Sequence, residues 1–186
     1  MKYAVFAVIL AAGPACADQY TAVMTTFARD SIVGWAEAPV LIEEIVAQNA
    51  EHAGLSQADI DEMDRQWRNQ VGQGNRPIVE PVLSNPAADY LRQIVEESGG
   101  IVTEVFIMDN RGLNVAASDP TSDYWQGDEA KFTETYGKGA SALHIGDIEF
   151  DDSTQSYQGQ VSVPVMGPGG AVIGAMTVGL NAEMLF

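Results

Sequence analysis

One cysteine, Cys16, stands in the whole chain, and it lies close behind the first hydrophobic run. Beyond it no disulfide, thiolate ligand or thiol nucleophile is possible, so stability must come from an ordinary hydrophobic core. Cations are also scarce: 9 Lys and Arg oppose 26 Asp and Glu, for a formal net charge of −17. Nothing resembles a basic footprint, which excludes nucleic acid as a partner and disfavours anionic membrane surfaces. Histidine occurs only at His52 and His144, with no ligand spacing around either, and no Asp-x-Asp-x-Asp-Gly calcium pattern is present. No metal and no cofactor are therefore expected. The G-x-S-x-G elbow, H-E-x-x-H and the P-loop are missing as well, so the chain does not read as an enzyme. No apolar run is long enough to span a bilayer.

The front of the chain assigns a compartment. Met1-Lys2-Tyr3 gives a positive start, 4–12 is apolar, Gly13-Pro14 breaks a helix, and Ala15-Cys16-Ala17 supplies small residues for cleavage. This pattern predicts a secretory signal peptide over 1–17, cut after Ala17, and a periplasmic or secreted product. A lipoprotein signal acylated at Cys16 is the alternative. Removing 1–17 leaves 169 of the 186 residues and takes the charge from −17 to −18. Solubility accounts for such acidity without invoking function.

Residues 18–186 read as one domain of two textures, helical over 18–99 and strand-rich over 100–186. Val23, Phe27, Ile32, Val33, Trp35, Val40, Leu41, Ile45 and Val46 recur at three- and four-residue steps, predicting a long helix over about 19–52. Pro39 should divide it near Ala38. Ser56 followed by Asp59 signals the start of a second helix, to about Gln70. Asn85-Pro86 opens a third, and Gly99-Gly100 stop it. Strand-like runs then follow at 101–109, 113–118, 142–150, 156–165 and 171–180, separated by turn signals such as Asn110-Arg111-Gly112 and 167–170. The expected fold is α+β, a long helix and short helices followed by one five-stranded antiparallel sheet in meander order.

Between the second and third runs lies S-D-Y-W-Q-G-D-E-A-K-F, 122–132, where Tyr124 and Trp125 sit among Asp123, Asp128 and Glu129. Two large aromatics are costly to leave in water. Taken with E-V-F-I-M-D-N-R-G-L-N-V-A-A-S-D and I-E-F-D-D-S-T-Q-S-Y-Q-G-Q-V-S-V-P-V, this segment resembles single Cache (PDC, PAS-like) extracytoplasmic sensor domains. The resemblance covers nearly all of 18–186. It implies a small-molecule pocket between the sheet and the 119–136 segment. In amino-acid-binding relatives an Arg precedes the aromatics. Here Pro120-Thr121-Ser122-Asp123 stands instead, which removes the usual grip on a ligand carboxylate. The absence of flanking spans and of an output module implies a free-standing periplasmic form, signalling through a separate membrane-bound partner.

On this reading Tyr124, Trp125 and Asp128 form an aromatic wall with a counter-charge, suited to an amine. Trp125 plugging the sheet and Asp128 capping a helix at 129–136 is the plainer alternative. Thr121 and Asp123 flank them. Asp109 either reaches the ligand or hydrogen-bonds the following turn. Asn114, Ala116 and Ser118 alternate on one face of their strand, as do Gln158, Gln160 and Ser162 on theirs; facing the same way, they would line the pocket floor. Lys131, Lys138 and Arg111 are the cations at hand for a carboxylate. Two other readings stay open: a homodimeric interaction module built on Val23, Phe27 and Trp35, and a hydrolase using Asp128 and Glu149.

Overall fold

The computed structural model describes residues 14–151 and 156–186. The apolar part of the expected signal segment and most of the turn at 151–154 lie outside them. Helix α1 (Pro14–Phe27) runs through a π-helical turn (Ala28–Ile32) into α2 (Val33–Ala36). Ala38 is extended, with ψ 127°, and α3 (Pro39–Glu51) begins at the proline. The ring disfavours helical geometry in the residue before it, so Pro39 divides the helix where expected. The buried stripe is Met24, Ala28, Ile32 and Ala36, continued by Leu41 and Ile45. Val33 and Val46, assigned to that stripe from spacing, are 44% exposed. Phe27 and Trp35 meet edge to face at 5.8 Å and pack partly buried on the core.

Ser56 caps α4 (Gln57–Gln70) in a reciprocal box with Asp59. After the short α5 (Glu80–Leu83), the Asn85 side chain caps α6 (Pro86–Glu97) by accepting from the Ala88 N–H at 2.8 Å. The strands are β1 (Val102–Met108), β2 (Asn114–Ala117), β3 (His144–Ile145), β4 (Glu149–Asp151), β5 (Ser156–Met166) and β6 (Val172–Asn181). A helical turn, α7 (Ala130–Thr133), lies between β2 and β3. All pairings are antiparallel, in the order β2-β1-β6-β5-β3, with β4 beside β3 on the same edge of β5. The fold is α+β, as expected.

Two expectations need correction. The sheet is not a meander, because β1 pairs with β6 and so sits inside it. Val105-Phe106-Ile107-Met108 is buried on both faces, which suits an interior strand and not an edge. The third expected run, 142–150, is broken: β3 and β4 are separate pieces either side of 146–148.

Alternation divides the core in two. Val105 and Ile107, with Val161, Val163, Val165, Met176, Val178 and Leu180, face α1, α3 and α6. Phe106, Met108, Ala117 and Ala175 face the other way, onto Trp67 of α4, Tyr124 and Phe132. Each large apolar side chain so buried contributes about 1.5–3 kcal/mol. Among the described residues no helix is long and apolar enough to cross a membrane.

Candidate functional site: a closed polar knot and an open cleft

The β1–β2 turn is built on Asp109, which is fully buried. One carboxylate oxygen accepts the backbone N–H groups of Arg111 (2.8 Å) and Leu113 (3.0 Å). The other accepts Gln48 Nε2 at 3.0 Å and His52 Nδ1 at 2.9 Å, both reaching over from α3 and its end. A buried carboxylate is tolerable only with such a set of donors. Asn49 fastens the same corner, accepting from the Asn110 N–H and donating to the Ile173 carbonyl, each at 2.8 Å.

The segment with the two aromatics is laced onto this turn. Trp125 Nε1 donates to the Arg111 carbonyl and the Gln126 N–H to the Gly112 carbonyl, both at 2.8 Å. Gly112 has φ +80°, and a Cβ there would come within 2.5 Å of Gly127 Cα. Two glycines back to back let turn and segment touch through backbone. From β2, Asn114 donates its side-chain amide to Thr121 Oγ1 (2.7 Å) and to the Asp123 carbonyl (3.0 Å). Asn114 Oδ1 is buried without a partner.

Helix α4 closes the knot from outside. One Asp64 oxygen accepts the N–H groups of Tyr124 (2.9 Å) and Trp125 (3.2 Å), and the other pairs with Arg68 at 2.6 Å. Arg68 also reaches Asp123 at 3.0 Å; that hydrogen bond and the Asp64 charge raise its pKa above the ordinary value. Trp67 Nε1 donates to the Thr121 carbonyl at 2.8 Å, and its ring stacks on Tyr124 with centroids 5.3 Å apart. Burial first, then the charges of Asp109 and Glu51, push the Tyr124 hydroxyl well above its ordinary pKa.

Beyond the knot, between α7 and the β3–β5 edge, opens a cleft of about 530 Å³. Ser122, Glu129 and Lys131 form one wall, His144, Ile145, Asp147, Glu149 and Phe150 another, and Gln158 and Gln160 its sheet side. Both glutamines donate to Glu104 Oε1, at 3.3 and 3.0 Å, and Gln158 also accepts from the Thr103 hydroxyl. Lys131 Nζ pairs with Glu129 at 3.0 Å, donates to Gln126 Oε1 at 3.2 Å and lies 5.6 Å above the Phe106 ring. Acids outnumber this single lysine around the cleft.

The residues singled out from sequence thus fall into groups. Asp109, Asn114, Thr121, Asp123, Tyr124 and Trp125 belong to the knot, whereas Gln158 and Gln160 line the cleft. Asp128 is exposed, and α7 has no side-chain cap: Glu129 stands at its N-cap. Ser118 accepts from the Val105 N–H at 2.9 Å. It does not share a face with Asn114, because the register slips between Ile107 and Met108, pairing Met108 with Asn114 but Ile107 with Ala116. Asn114 does face the side of Gln160: its row runs through Ala175 to Pro164. Lys138 pairs at 3.8 Å with Glu134, and Arg111 donates to the Leu55 carbonyl at 3.1 Å. Sequence reasoning missed Asp64, Trp67, Arg68 and Glu104. An acid on the buried Ile60-Asp64-Trp67 stripe of α4 was the available signal. Among the described residues no cluster of three or more ligating side chains is placed to hold a metal ion.

No family model matches the chain, and no curated protein matches it. Solved structures do. The Vibrio cholerae histidine kinase DctB sensor domain aligns at 13% identity and TM-score 0.41, over 92% of this chain and 58% of that one. The ligand-binding domain of the Campylobacter jejuni chemoreceptor Tlp3, solved with L-valine, aligns at 12% identity and TM-score 0.42, over 89% and 64%. The Escherichia coli DcuS sensor domain aligns at 12% identity and TM-score 0.43, over 92% of both chains. The chain therefore spans about three fifths of the length of the first two. Two of these are sensor domains of their proteins and the third is a chemoreceptor's ligand-binding domain.

Proposed function

We propose that the protein is an extracytoplasmic sensor-type domain that captures a small polar ligand in the cleft between α7 and β3–β5. The observation that carries this reading is the sheet side of the cleft: Gln158 and Gln160, with Glu104 behind them, present an amide-rich surface next to an open volume of about 530 Å³. Pockets of this size, with a few convergent polar groups, suit small metabolites. Glu129, Asp147 and Glu149 around one lysine favour an amine or a zwitterion over a simple carboxylate. The segment 121–127 acts as the rigid rear wall, held by the knot. Export to the periplasm after cleavage at Ala17, and signalling through a separate membrane-bound partner, complete the proposal.

A thermal-shift screen of residues 18–186 against amines, amino acids and mono- and dicarboxylates tests it. A ligand at about 100 times its Kd adds about 2.7 kcal/mol of stability. At roughly 2–4 °C per kcal/mol for a chain of this size, the shift is easily read. The expected result is a hit that Gln160→Ala abolishes. Silence across the panel, or a hit indifferent to Gln160→Ala, would overturn the reading.

A further inference from the structure

A second cavity lies on the opposite side of the knot from the cleft. Its volume is about 380 Å³, and it opens between α3, α4, α5 and the outer side of β2. The two sites share no lining residue. The walls of the second are hydrocarbon: Met63, Ile78, Pro81, Val82 and Val115. One pole is polar, with His52, Glu51 and the Tyr124 hydroxyl, and Glu44 adds a further acid to the lining.

Three observations give this pole a chemical preference. First, no lysine or arginine lines the cavity, and neither Glu44 nor Glu51 takes part in an ion pair among the described residues. Among the described residues no lysine or arginine of the lining offsets their charge. Second, Tyr124 is only 4% exposed, yet its hydroxyl has no hydrogen bond to another described residue; Asp109 and Glu51 act on it through charge alone. A hydroxyl at the cavity's polar end with no protein partner is available to a ligand. Third, His52 gives its Nδ1 proton to Asp109, and the Gln48 amide is likewise turned inward onto Asp109 and the carbonyl oxygens of Leu113 and Asn114. The donors at this pole are thus engaged inside the knot, leaving the glutamates to face a ligand.

We propose that this cavity is a second binding site, for a small monocationic amine with an apolar body. The ammonium group sits between Glu51 and the Tyr124 oxygen, and the hydrocarbon lies along Val82, Val115 and Met63. A carboxylate is repelled by the two glutamates, and a neutral alcohol gains only the apolar contact. Because Tyr124 and His52 belong to the knot that fixes the rear wall of the cleft, occupancy here braces that wall.

The probe is 2-phenylethylamine, titrated calorimetrically into the full chain at neutral pH, with 2-phenylethanol and 3-phenylpropionate as its neutral and anionic counterparts. The amine is expected to bind while the other two bind at least tenfold more weakly or not at all. Glu51→Gln and Tyr124→Phe, the latter keeping the stack on Trp67, should each weaken the amine by about tenfold. Circular dichroism checks that both variants fold. Gln160→Ala, in the cleft, should leave the amine titration unchanged. Absence of binding, equal binding of the alcohol, or indifference to both Glu51→Gln and Tyr124→Phe would overturn the proposal. Loss of the amine with Gln160→Ala alone would do so too, by placing the cation in the cleft. The cleft reading stands or falls separately, on the response of its own ligand to Gln160→Ala.

Discussion

The knot and the cleft are built from the same kinds of residue and end in opposite states. In the knot, Asp109, Asp64, Asn114 and Thr121 satisfy one another and nearby backbone, so almost every donor meets an acceptor within the protein. In the cleft, Gln158, Gln160 and Glu104 also bond among themselves, but they do so beside open volume and next to acids in excess of cations. Polarity alone therefore does not mark a binding surface. What distinguishes the cleft is space adjoining polar groups; what distinguishes the knot is geometric closure, completed by α4.

The contrast can be broken most forcefully at Asp109. Asp109→Ala removes the acceptor of four donors, two of them in fully buried hydrogen bonds, and a loss of about 3–5 kcal/mol is expected, read as a lower urea midpoint. Gly112→Ala comes next: the positive φ and the clash with the Gly127 backbone should cost about 1–3 kcal/mol without removing any polar side chain. If Gly112→Ala were as stable as the parent, the close backbone approach would not be holding the segment.

A pH experiment sharpens the comparison further. The pKa of Tyr124 is raised in the folded state, so its contribution is fully present below the unfolded tyrosine pKa of about 10 and is lost as pH rises beyond it. Unfolding between pH 9 and pH 11 should show a steeper decline for the parent than for Tyr124→Phe. Equal slopes would mean that the hydroxyl is not buried beside Asp109 and Glu51. The smallest effect belongs to the cleft: Gln160→Ala should change stability by no more than about 0.5 kcal/mol while removing the ligand response.

Much of the scaffold was legible because its signals are local. The capping box at Ser56 and Asp59, the division at Pro39 and the Asn85-Pro86 start each depend on a few adjacent residues. The order of strands was not, since pairing β1 with β6 is a contact across about 70 residues, and only the four-residue apolar run at Val105 hinted at an interior strand. The site was half legible. Tyr124 and Trp125 stood out by their cost in water, and Asp109 by its turn. That Asn114 and Ser118 face opposite ways depends on a register slip that alternation cannot reveal. Asp64 and Arg68 were hidden because an acid and a base four residues apart on a helix look like ordinary surface charge until the segment they clamp is folded against them.

The broken third strand bears on how the sheet edge could pair with another chain. A sheet edge invites another chain to add a strand, and a long regular edge is the usual start of aggregation. Here the outer neighbour of β5 is two residues of β3 and three of β4, interrupted at 146–148, with Asp147 and Glu149 along it. Among the described residues no uninterrupted strand forms that edge, and two acids lie along it. The gap that lies beside the cleft thus also interrupts the edge at which a further strand would add.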